Sequence, residues 1–309
     1  MHIPVLQKEV IGYLDPKPDE NFIDATLGNA GHTLAILEKN GPKGKVLGID
    51  RDPEQIKNQA LQWRREGKDE GKALIANRLI AVCDNFANLK EIAEREKIKE
   101  VAGIIFDLGM SSWHLEESGR GFSFWREEPL DMRYGDISKL SAEKILNYES
   151  CQEIERILRE YGEERFSKKI AEKIIGARKI RPITTTSQLV EIVRQAVPAG
   201  CQHQKIHYAT RTFQAMRIAV NEELDNLRKV LPQATEILKC GGKIVLISFH
   251  SLEDRIVKNF FREKAKENIL TIITKKPVVP TEEEIKINPR SRSAKLRAAE
   301  KTCLKRADI

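Results

Sequence analysis

The chain has 309 residues, 40% of them hydrophobic, which is enough for one large α/β domain or for two domains. No run of about 18 apolar residues occurs and the first residues do not resemble a cleaved leader, so the sequence argues against a membrane-spanning protein and predicts a cytoplasmic one without a membrane partner. The five cysteines never form a C-x-x-C pair, which predicts reduced, mostly buried thiols and neither a disulfide framework nor a zinc site.

The formal net charge of +7 is concentrated in two segments. Residues 286–309 contain eight Lys or Arg against two acidic residues, and residues 165–181 contain seven against one. Such patches suit phosphate binding, because cations that neutralise phosphates release condensed counterions. From charge alone, a solubilising surface explains them equally well.

The first third of the chain alternates short apolar segments with helical ones. Each apolar segment is rich in β-branched residues and is bounded by Gly, Asn or Asp, which is typical of strands. Strands that alternate with helices predict an α/β domain with a parallel sheet. The predicted strands are residues 21–25, 45–50, 78–83 and 103–108, and the predicted helices are residues 32–39, 53–65 and 86–94.

After Asp107 the alternation stops. From about residue 141 to 197 every periodic stretch is helical, with apolar residues at i, i+3, i+4 and i+7, so an all-helical domain is predicted. The same spacing continues from Phe213 to Leu231 as one long helix. The apolar run 243–249 then predicts a buried central strand, at which the α/β domain resumes.

The chain ends with a short predicted strand, residues 270–274, and a tail beyond Pro277 that its prolines mark as irregular. Three segments follow from this pattern. The first part of the α/β domain is residues 1–135, an inserted helical domain is residues 136–212, and the second part with its basic tail is residues 213–309.

The turn at residues 28–31 (Gly-Asn-Ala-Gly) follows the first strand and has the position of a nucleotide-binding loop. The third glycine of G-x-G-x-x-G is absent. A dinucleotide's pyrophosphate needs the full loop, whereas S-adenosylmethionine presents a carboxylate and an ammonium group, which suits a reduced loop beside an acid such as Asp24. The sequence therefore favours S-adenosylmethionine, and a nicotinamide-dependent oxidoreductase is the rival enzyme.

Side chains at three further strand ends complete this cofactor site. Asp50 ends the second strand about 20 residues beyond Gly28, the spacing at which an acid accepts hydrogen bonds from ribose hydroxyls. Phe86 follows the third strand, where it either lies against an adenine or packs in the core. Asp107 ends the fourth strand and is the candidate catalytic residue, because an acceptor there can bind the hydrogens of an exocyclic amine and aim its nitrogen at the methyl group. Asp107 can instead hold only the cofactor, and both roles stay open.

Seven motifs, in order along the whole chain, carry a resemblance to a known family. They are HIPVL at 2–6, AGH at 30–32, DLGMSS at 107–112, RGFSF at 120–124, PLDMR at 129–133, SFHSLEDR at 248–255 and NPRSRSAKLR at 288–297. Together they closely resemble the bacterial ribosomal RNA small subunit methyltransferase H family.

This resemblance implies a Rossmann-like S-adenosylmethionine methyltransferase domain with an inserted all-helical domain. It also implies methylation of N4 of a cytosine in the decoding region of 16S ribosomal RNA, with the small ribosomal subunit as partner. The implied cofactor contacts are Ala30, Gly31, His32, Asp50, Phe86, Asp107 and His114.

The chain departs from the family pattern at three places. Ala25 and Ala30 stand where glycines are usual, and Trp113-His114 stands where Pro-Gln is usual. Imidazole can form hydrogen bonds as an amide does, but it adds a charge that titrates at about pH 6.5.

The amine of a paired cytosine is inaccessible, so such an enzyme must meet an open strand or extrude the base. Aromatic faces and cations suit that task, although Phe124 is equally explained as a core residue and His250 as a structural one. The basic helix at 165–181 and the tail from Lys286, including Arg297, are assigned to phosphate contacts. The RNA-binding candidates are Arg120, Phe124, Trp125, Arg133, His250, Arg290 and Arg292.

The sequence also offers two other interpretations. Cys201, His203 and His207 suggest metal ligands, but no fourth ligand has suitable spacing, so no metal is predicted. A non-catalytic RNA-binding ribosome assembly factor explains the basic patches without chemistry. This alternative requires a defective cofactor pocket, and only the departures from the family pattern at Ala30 and His114 point to one.

Overall fold

The computed structural model describes residues 3–57, 77–135, 140–202 and 206–303. Seven strands form one sheet in the order β3-β2-β1-β4-β5-β7-β6, in which β7 is antiparallel to both neighbours and the other neighbouring pairs are parallel. The strands are β1 Asn21–Asp24, β2 Val46–Asp50, β3 Leu79–Cys83, β4 Val101–Asp107, β5 Leu238–Ser248, β6 Leu270–Ile272 and β7 Lys295–Lys301. The predicted α/β fold class is confirmed.

Helices connect and extend these strands. They are α1 Gln7–Leu14, α2 Gly31–Leu37, α3 Leu89–Arg95, α4 Ser112–Glu116, α5 Ala142–Tyr148, α6 Cys151–Gly162, α7 Ser167–Arg178, α8 Thr186–Ala196, α9 Ala199–Gln202, α10 Thr210–Asn221, α11 Glu223–Ile237, α12 Ser251–Lys266 and α13 Glu282–Ile287. Residues 53–57 are also helical, and Phe86–Asn88 and Pro289–Ser293 form short 3-10 helices. In the described ranges, no helix is both long and apolar enough to span a membrane.

The chain divides into two compact units. The first consists of Met1–Gly109 with Leu224–Ile309, and the second is Met110–Glu223. In the first unit the sheet separates two cores: Ile104 and Phe106 of β4 lie in one, and Ile105 lies in the other. This alternation follows from the strand pleat, which points successive side chains to opposite faces.

The second unit is wider than the predicted insertion 136–212. Its core includes Phe122 and Leu130 before that range and Met216 and Val220 after it, packed with the apolar stripes of the helices between. The predicted single helix from Phe213 to Leu231 is wrong, because Glu222 has a left-handed backbone (φ 52°) that ends α10 before α11 begins.

The prediction of an irregular tail beyond Pro277 is also wrong. The tail contains α13 and β7, and β7 lies inside the sheet between β5 and β6. Leu296 and Ala298 of β7 are buried, and the charged Arg297 between them is buried as well. The alternation of apolar and charged residues in this segment is therefore that of a strand inside the sheet.

The cysteines differ from expectation as well. Cys240 and Cys303 form a disulfide, with their Cα atoms 5.1 Å apart. Lys243 pairs with Glu300 in the antiparallel β5–β7 register, and continuing that register brings Cys240 opposite Cys303. Cys83 is exposed, so the thiols are not mostly buried.

Candidate cofactor and acceptor site

The centre of the sheet provides the candidate site. β1 and β4 are neighbours, and the chain proceeds from β1 towards β2 and β3 on one side and from β4 to β5 on the other. In open α/β sheets, ligands bind beyond the carboxyl ends of the strands where the order reverses. Asp24 ends β1 and Asp107 ends β4, while Asp50 ends the adjacent β2. The fold thus brings these strand-end acids to one edge of the first unit.

The turn between β1 and α2 is tightly constrained. Gly28 and Ala30 both have left-handed backbones, with φ of 47° and 57°. A side chain at Gly31 would place its Cβ 2.2 Å from Cγ of Pro4, so only glycine fits there. Ala30, where the family usually has glycine, is buried and adopts a conformation that costs a non-glycine residue free energy.

Asp50 fastens this turn to β2. Its Oδ2 accepts a hydrogen bond from the backbone N–H of Gly28 at 2.8 Å, and its Oδ1 accepts one from Asp52 at 2.9 Å. Each oxygen of an ionised carboxylate can accept more than one hydrogen bond, so bonds within the turn do not preclude a bond from a ligand hydroxyl. The half-buried Asp50 therefore suits the predicted contact with a ribose.

Asp107 is held by three contacts. Its backbone N–H donates to Thr26 Oγ1 at 2.7 Å, and its Oδ1 accepts from the Gly109 N–H at 3.2 Å. Its Oδ2 lies 3.4 Å from Nε2 of His32. A Cβ on Gly109 would lie 2.8 Å from the Phe249 ring, so this residue must be glycine. The carboxylate is oriented while a fifth of its side chain stays accessible.

His32 is a buried polar side chain at the start of α2. Its side chain is 7% exposed, and neither ring nitrogen has a hydrogen-bond partner among the residues that the structure describes. The 3.4 Å approach to Asp107 brings the two groups close but does not form a well-aligned hydrogen bond. The ring therefore has hydrogen-bonding capacity at the site.

Asp24, expected beside the ammonium group of a cofactor, is instead internal. Its Oδ1 accepts from the Thr26 N–H at 3.1 Å and its Oδ2 from the Thr33 hydroxyl at 2.7 Å. Burial raises the pKa of the Asp24 carboxyl above its ordinary 3.8, which the nearby His32 and Thr33 only partly offset. Asp24 therefore braces the turn. Thr26 and Thr33 were not predicted, and their only signal in the sequence is that they lie near a strand-end acid.

Phe86 packs on the core, which is one of the two roles considered from the sequence, and its contact with an adenine stays a prediction. It follows β3, is half-buried, and lies edge to face with Phe106, with ring centroids 6.0 Å apart. The side chain of Asn85 caps the 3-10 helix by accepting from the Ala87 N–H at 2.9 Å. Asn85 is thus a turn residue, and Phe86 packs on the core while keeping part of its surface exposed.

His250 is a helix cap. Its Nδ1 accepts from the Glu253 N–H at 3.4 Å, and its Nε2 lies 3.1 Å from Glu253 Oε1. Glu253 Oε2 in turn accepts from the backbone N–H groups of Phe249 and His250. This reciprocal arrangement is a capping box, which the sequence signals by the three-residue spacing of a capping residue and Glu.

In the second unit His114 lies in an aromatic cluster. It is buried, its Nδ1 is 2.9 Å from the Ser111 hydroxyl, and its ring contacts Phe122 and Tyr134 edge to face. Arg120 donates to the Tyr134 carbonyl at 2.8 Å. These contacts show a packed environment for His114, and its predicted cofactor contact stays a prediction.

The remaining RNA-binding candidates differ in accessibility. Arg133 is paired with Asp131 through two bonds of 2.6 and 2.8 Å, whereas Trp125 is 76% exposed. Phe124 stacks on His207 at 4.6 Å between centroids. His203 lies outside the described residues.

In the first unit the tail candidates separate into exposed and buried residues. Arg290 and Arg292 are exposed on the 3-10 helix. Arg297, assigned to phosphate contacts, is only 8% exposed and pairs with Asp254 at 2.6 Å, so that assignment is wrong. Its guanidinium is held inside the unit.

Comparisons with known proteins identify relatives of the chain. Residues 1–302 match the model of the MraW methylase family. The ribosomal RNA small subunit methyltransferase H of Heliobacterium mobile is 44% identical, over 97% of this chain and 98% of that protein. Its namesake from Halothermothrix orenii is 45% identical over the same shares. The solved structure of an rRNA methylase from Streptococcus thermophilus is 10% identical with a TM-score of 0.45, over 98% of this chain and 99% of that one.

Proposed function

The chain belongs to the MraW methylase family, and from this premise we propose that it methylates N4 of a cytosine in the decoding region of 16S ribosomal RNA. Membership confirms the predicted methyltransferase with S-adenosylmethionine as cofactor. The names of its relatives support small-subunit ribosomal RNA as substrate. The seven sequence motifs support the choice of a cytosine and of its N4.

The residues of the first unit fit this cofactor. Asp50 is fixed at the end of β2, at the spacing from Gly28 that suits a contact with ribose hydroxyls, and Phe86 offers an apolar surface after β3. The turn at residues 28–31 has two left-handed residues and a glycine that no larger residue can replace. His32 supplies buried ring nitrogens that have no hydrogen-bond partner within the described chain.

The observation that carries the proposal is the fixed carboxylate of Asp107. S-adenosylmethionine, when bound, supplies an electrophilic methyl group on a sulfonium. The lone pair of an exocyclic amine is delocalised into its ring, so the protein must orient the amine and favour charge on its nitrogen. Asp107 can accept an amine hydrogen through its partly accessible carboxylate, while Gly109 and His32 restrain the carboxylate.

Positioning accounts for most of the expected acceleration. A carboxylate held by its neighbours needs no rearrangement when charge develops on the amine. Asp107 then also stabilises the cationic product until its extra proton leaves to solvent. No covalent intermediate with the protein is required.

The test is methyl transfer from labelled S-adenosylmethionine to small ribosomal subunits taken from cells that lack this protein. Nucleoside analysis of the RNA should find the label in N4-methylcytidine, and Asp107→Asn should lower the rate by about 100-fold. Label in another nucleoside overturns the N4 assignment. No label, despite tight binding of cofactor and subunit, identifies an assembly factor.

A further inference from the structure

Phe249 directly follows β5, at the edge of the sheet where Asp107 ends β4. We infer that the ring of Phe249 is the surface on which the acceptor base stacks while Asp107 holds its amine, and that Glu253 is a positioning residue for this ring. The inference rests on the proposed function, because it assigns a further substrate contact to the site of Asp107.

The strand register places Phe249 beside the acceptor loop. Asp107 of β4 pairs with Ile247 of β5, and Gly109 and Phe249 each lie two residues further along their segments. Alternate residues of a strand share a face, so Phe249 continues the face of Ile247. Both pack on the core that contains Ile105, which is two residues before Asp107. Phe249 and Asp107 therefore lie on the same side of the sheet.

The ring of Phe249 and the carboxylate of Asp107 are close neighbours. The position that a Cβ on Gly109 would take is 2.8 Å from the Phe249 ring and 3.1 Å from Asp107 Oδ1. Because Gly109 has no side chain, the ring takes that place against the loop. A planar base that donates its amine hydrogen to Asp107 thus has the Phe249 ring beside it.

The ring keeps surface for such a contact. Phe249 is half-buried, so it packs on the core without being enclosed by it. Phe86, which suits the cofactor, packs against the other core, on the opposite side of the sheet. The acceptor base and the cofactor therefore have separate rings. Aromatic faces hold unpaired bases by stacking, which orients the base before methyl transfer.

Glu253 fixes the backbone that carries this ring. The acid is 3% exposed, and its Oε2 accepts from the N–H groups of Phe249 at 2.8 Å and His250 at 3.3 Å. Its Oε1 lies 3.1 Å from His250 Nε2. A capping box by itself serves a helix, but here its carboxylate also binds the residue whose ring faces Gly109. Glu253 therefore restrains Phe249 without contacting the substrate.

Cations at the same edge suit the phosphates of the acceptor strand. Ser248 pairs with Lys295 in the antiparallel β5–β7 register, so β7 begins beside the end of β5. The exposed Arg290 and Arg292 precede β7 on the 3-10 helix. An aromatic ring beside guanidinium groups matches a nucleotide, with its base on Phe249 and its phosphates towards the arginines.

The first test is the single-turnover rate of methyl transfer to small ribosomal subunits from cells that lack this protein. Phe249→Leu keeps an apolar side chain but loses the aromatic face, so the rate should fall about tenfold or more. Phe249→Tyr keeps the face and should stay within about threefold of the wild type. The matched control is Phe260→Leu, the same change at a half-buried residue in the middle of α12. Equal rates for Phe249→Leu and this control overturn the inference.

Binding of S-adenosylhomocysteine, measured by calorimetry, separates the acceptor from the cofactor. We expect Phe249→Leu and Phe260→Leu to bind it as the wild type does, which also shows that both variants are folded. An affinity that falls in Phe249→Leu as far as the rate does would place the ring against the cofactor and overturn the inference.

Ultraviolet cross-linking tests the contact without turnover. The full chain is irradiated with S-adenosylhomocysteine and small subunits, and mass spectrometry identifies the nucleotide joined to the peptide that contains Phe249. We expect the cytosine that the wild type methylates, and no such product from Phe249→Leu. If the wild type transfers no methyl group, the proposed function fails and the cross-link alone decides the inference. A base joined to Phe249 then supports it, and the lack of one overturns it.

Two variants test the role of Glu253 in the same single-turnover assay. Glu253→Ala removes the acceptor of both N–H groups, so the rate should fall about tenfold while S-adenosylhomocysteine still binds. Glu253→Gln keeps an oxygen for these groups and should recover most of the rate. A wild-type rate in Glu253→Ala overturns the positioning role.

Discussion

His32 Nε2 lies 3.4 Å from Asp107 Oδ2, so a buried ring at the start of α2 contacts the carboxylate at the end of β4. We expect His32→Asn to lower kcat about tenfold, because the carboxylate loses a buried neighbour that restrains its position. The affinity for S-adenosylmethionine, measured by calorimetry, should fall less than kcat. A variant with normal kcat would show that the contact has no role in positioning Asp107.

Asp50 should determine cofactor affinity. Asp50→Asn removes charge from an acceptor that also fastens Gly28, so S-adenosylmethionine should bind about 10- to 100-fold more weakly in calorimetry. The control is Asp225→Asn, which changes an exposed acid of α11. Equal affinities of the two variants would contradict the assignment of Asp50 to the cofactor.

Asp24 should make the stability of the protein depend on pH. Its pKa is raised in the folded state, so its contribution to stability is fully present below the unfolded value of 3.8 and is lost as the pH rises through the higher folded value. Asp24→Asn cannot ionise and keeps acceptor and donor atoms for Thr26 and Thr33. Urea unfolding across this pH range should therefore show a smaller loss of stability in Asp24→Asn than in the wild type, and parallel pH profiles would refute the expectation.

Arg292 and Arg297 should have opposite phenotypes. Arg297→Ala leaves the mostly buried Asp254 without its main partner, which should lower the free energy of unfolding by about 3 kcal/mol. The expected loss is at the low end of the range for a broken buried ion pair, because Lys295 Nζ lies 3.8 Å from the same carboxylate and partly compensates its charge. Arg292→Ala should change the free energy of unfolding by less than about 0.5 kcal/mol. It should lower the slope of RNA affinity against salt concentration by about 1 on logarithmic axes, which corresponds to one lost phosphate contact. Identical salt slopes for wild type and Arg292→Ala would remove Arg292 from the interface.

The disulfide should be measurable in purified protein. Reduction of Cys240–Cys303 should lower the free energy of unfolding by about 2–4 kcal/mol in a denaturant titration. Cys240→Ser should give the reduced value and no longer respond to reductant. Thiol titration of the unfolded, unreduced chain should find the three cysteines Cys83, Cys151 and Cys201. Five titrated thiols would show that the bond is not formed.

The parallel part of the sheet could be predicted because short segments rich in β-branched residues alternate with helical ones, a pattern that the sequence shows without knowledge of the packing. β7 could not be found in the same way, because Arg297 interrupts its apolar residues and only becomes compatible with burial through Asp254, 43 positions earlier. Glu222 likewise carries no sequence signal for the break that it makes between α10 and α11.

The site shows the same division. The position of Asp50 and Asp107 at one edge of the sheet could be predicted, because the carboxyl ends of neighbouring parallel strands meet there. Asp24 has the same position in the sequence pattern, yet it faces inward to Thr26 and Thr33. The direction of a strand-end side chain depends on packing, which spacing does not report. For the same reason the sequence could not distinguish Arg297, which pairs with Asp254 inside the unit, from the exposed cations of the basic tail.

The position of β7 also determines the order in which the protein can be completed during synthesis. β5 and β6 each pair with β7, so both keep an open edge until residues 295–301 have left the ribosome. The second unit, Met110–Glu223, is by contrast fully synthesised before β5 begins. A chain released early would thus present a formed helical unit beside a sheet with unpaired strands, which is the kind of species that aggregates or is degraded. Among the described strands, the last to be made is thus the one that joins β6 to the rest of the sheet.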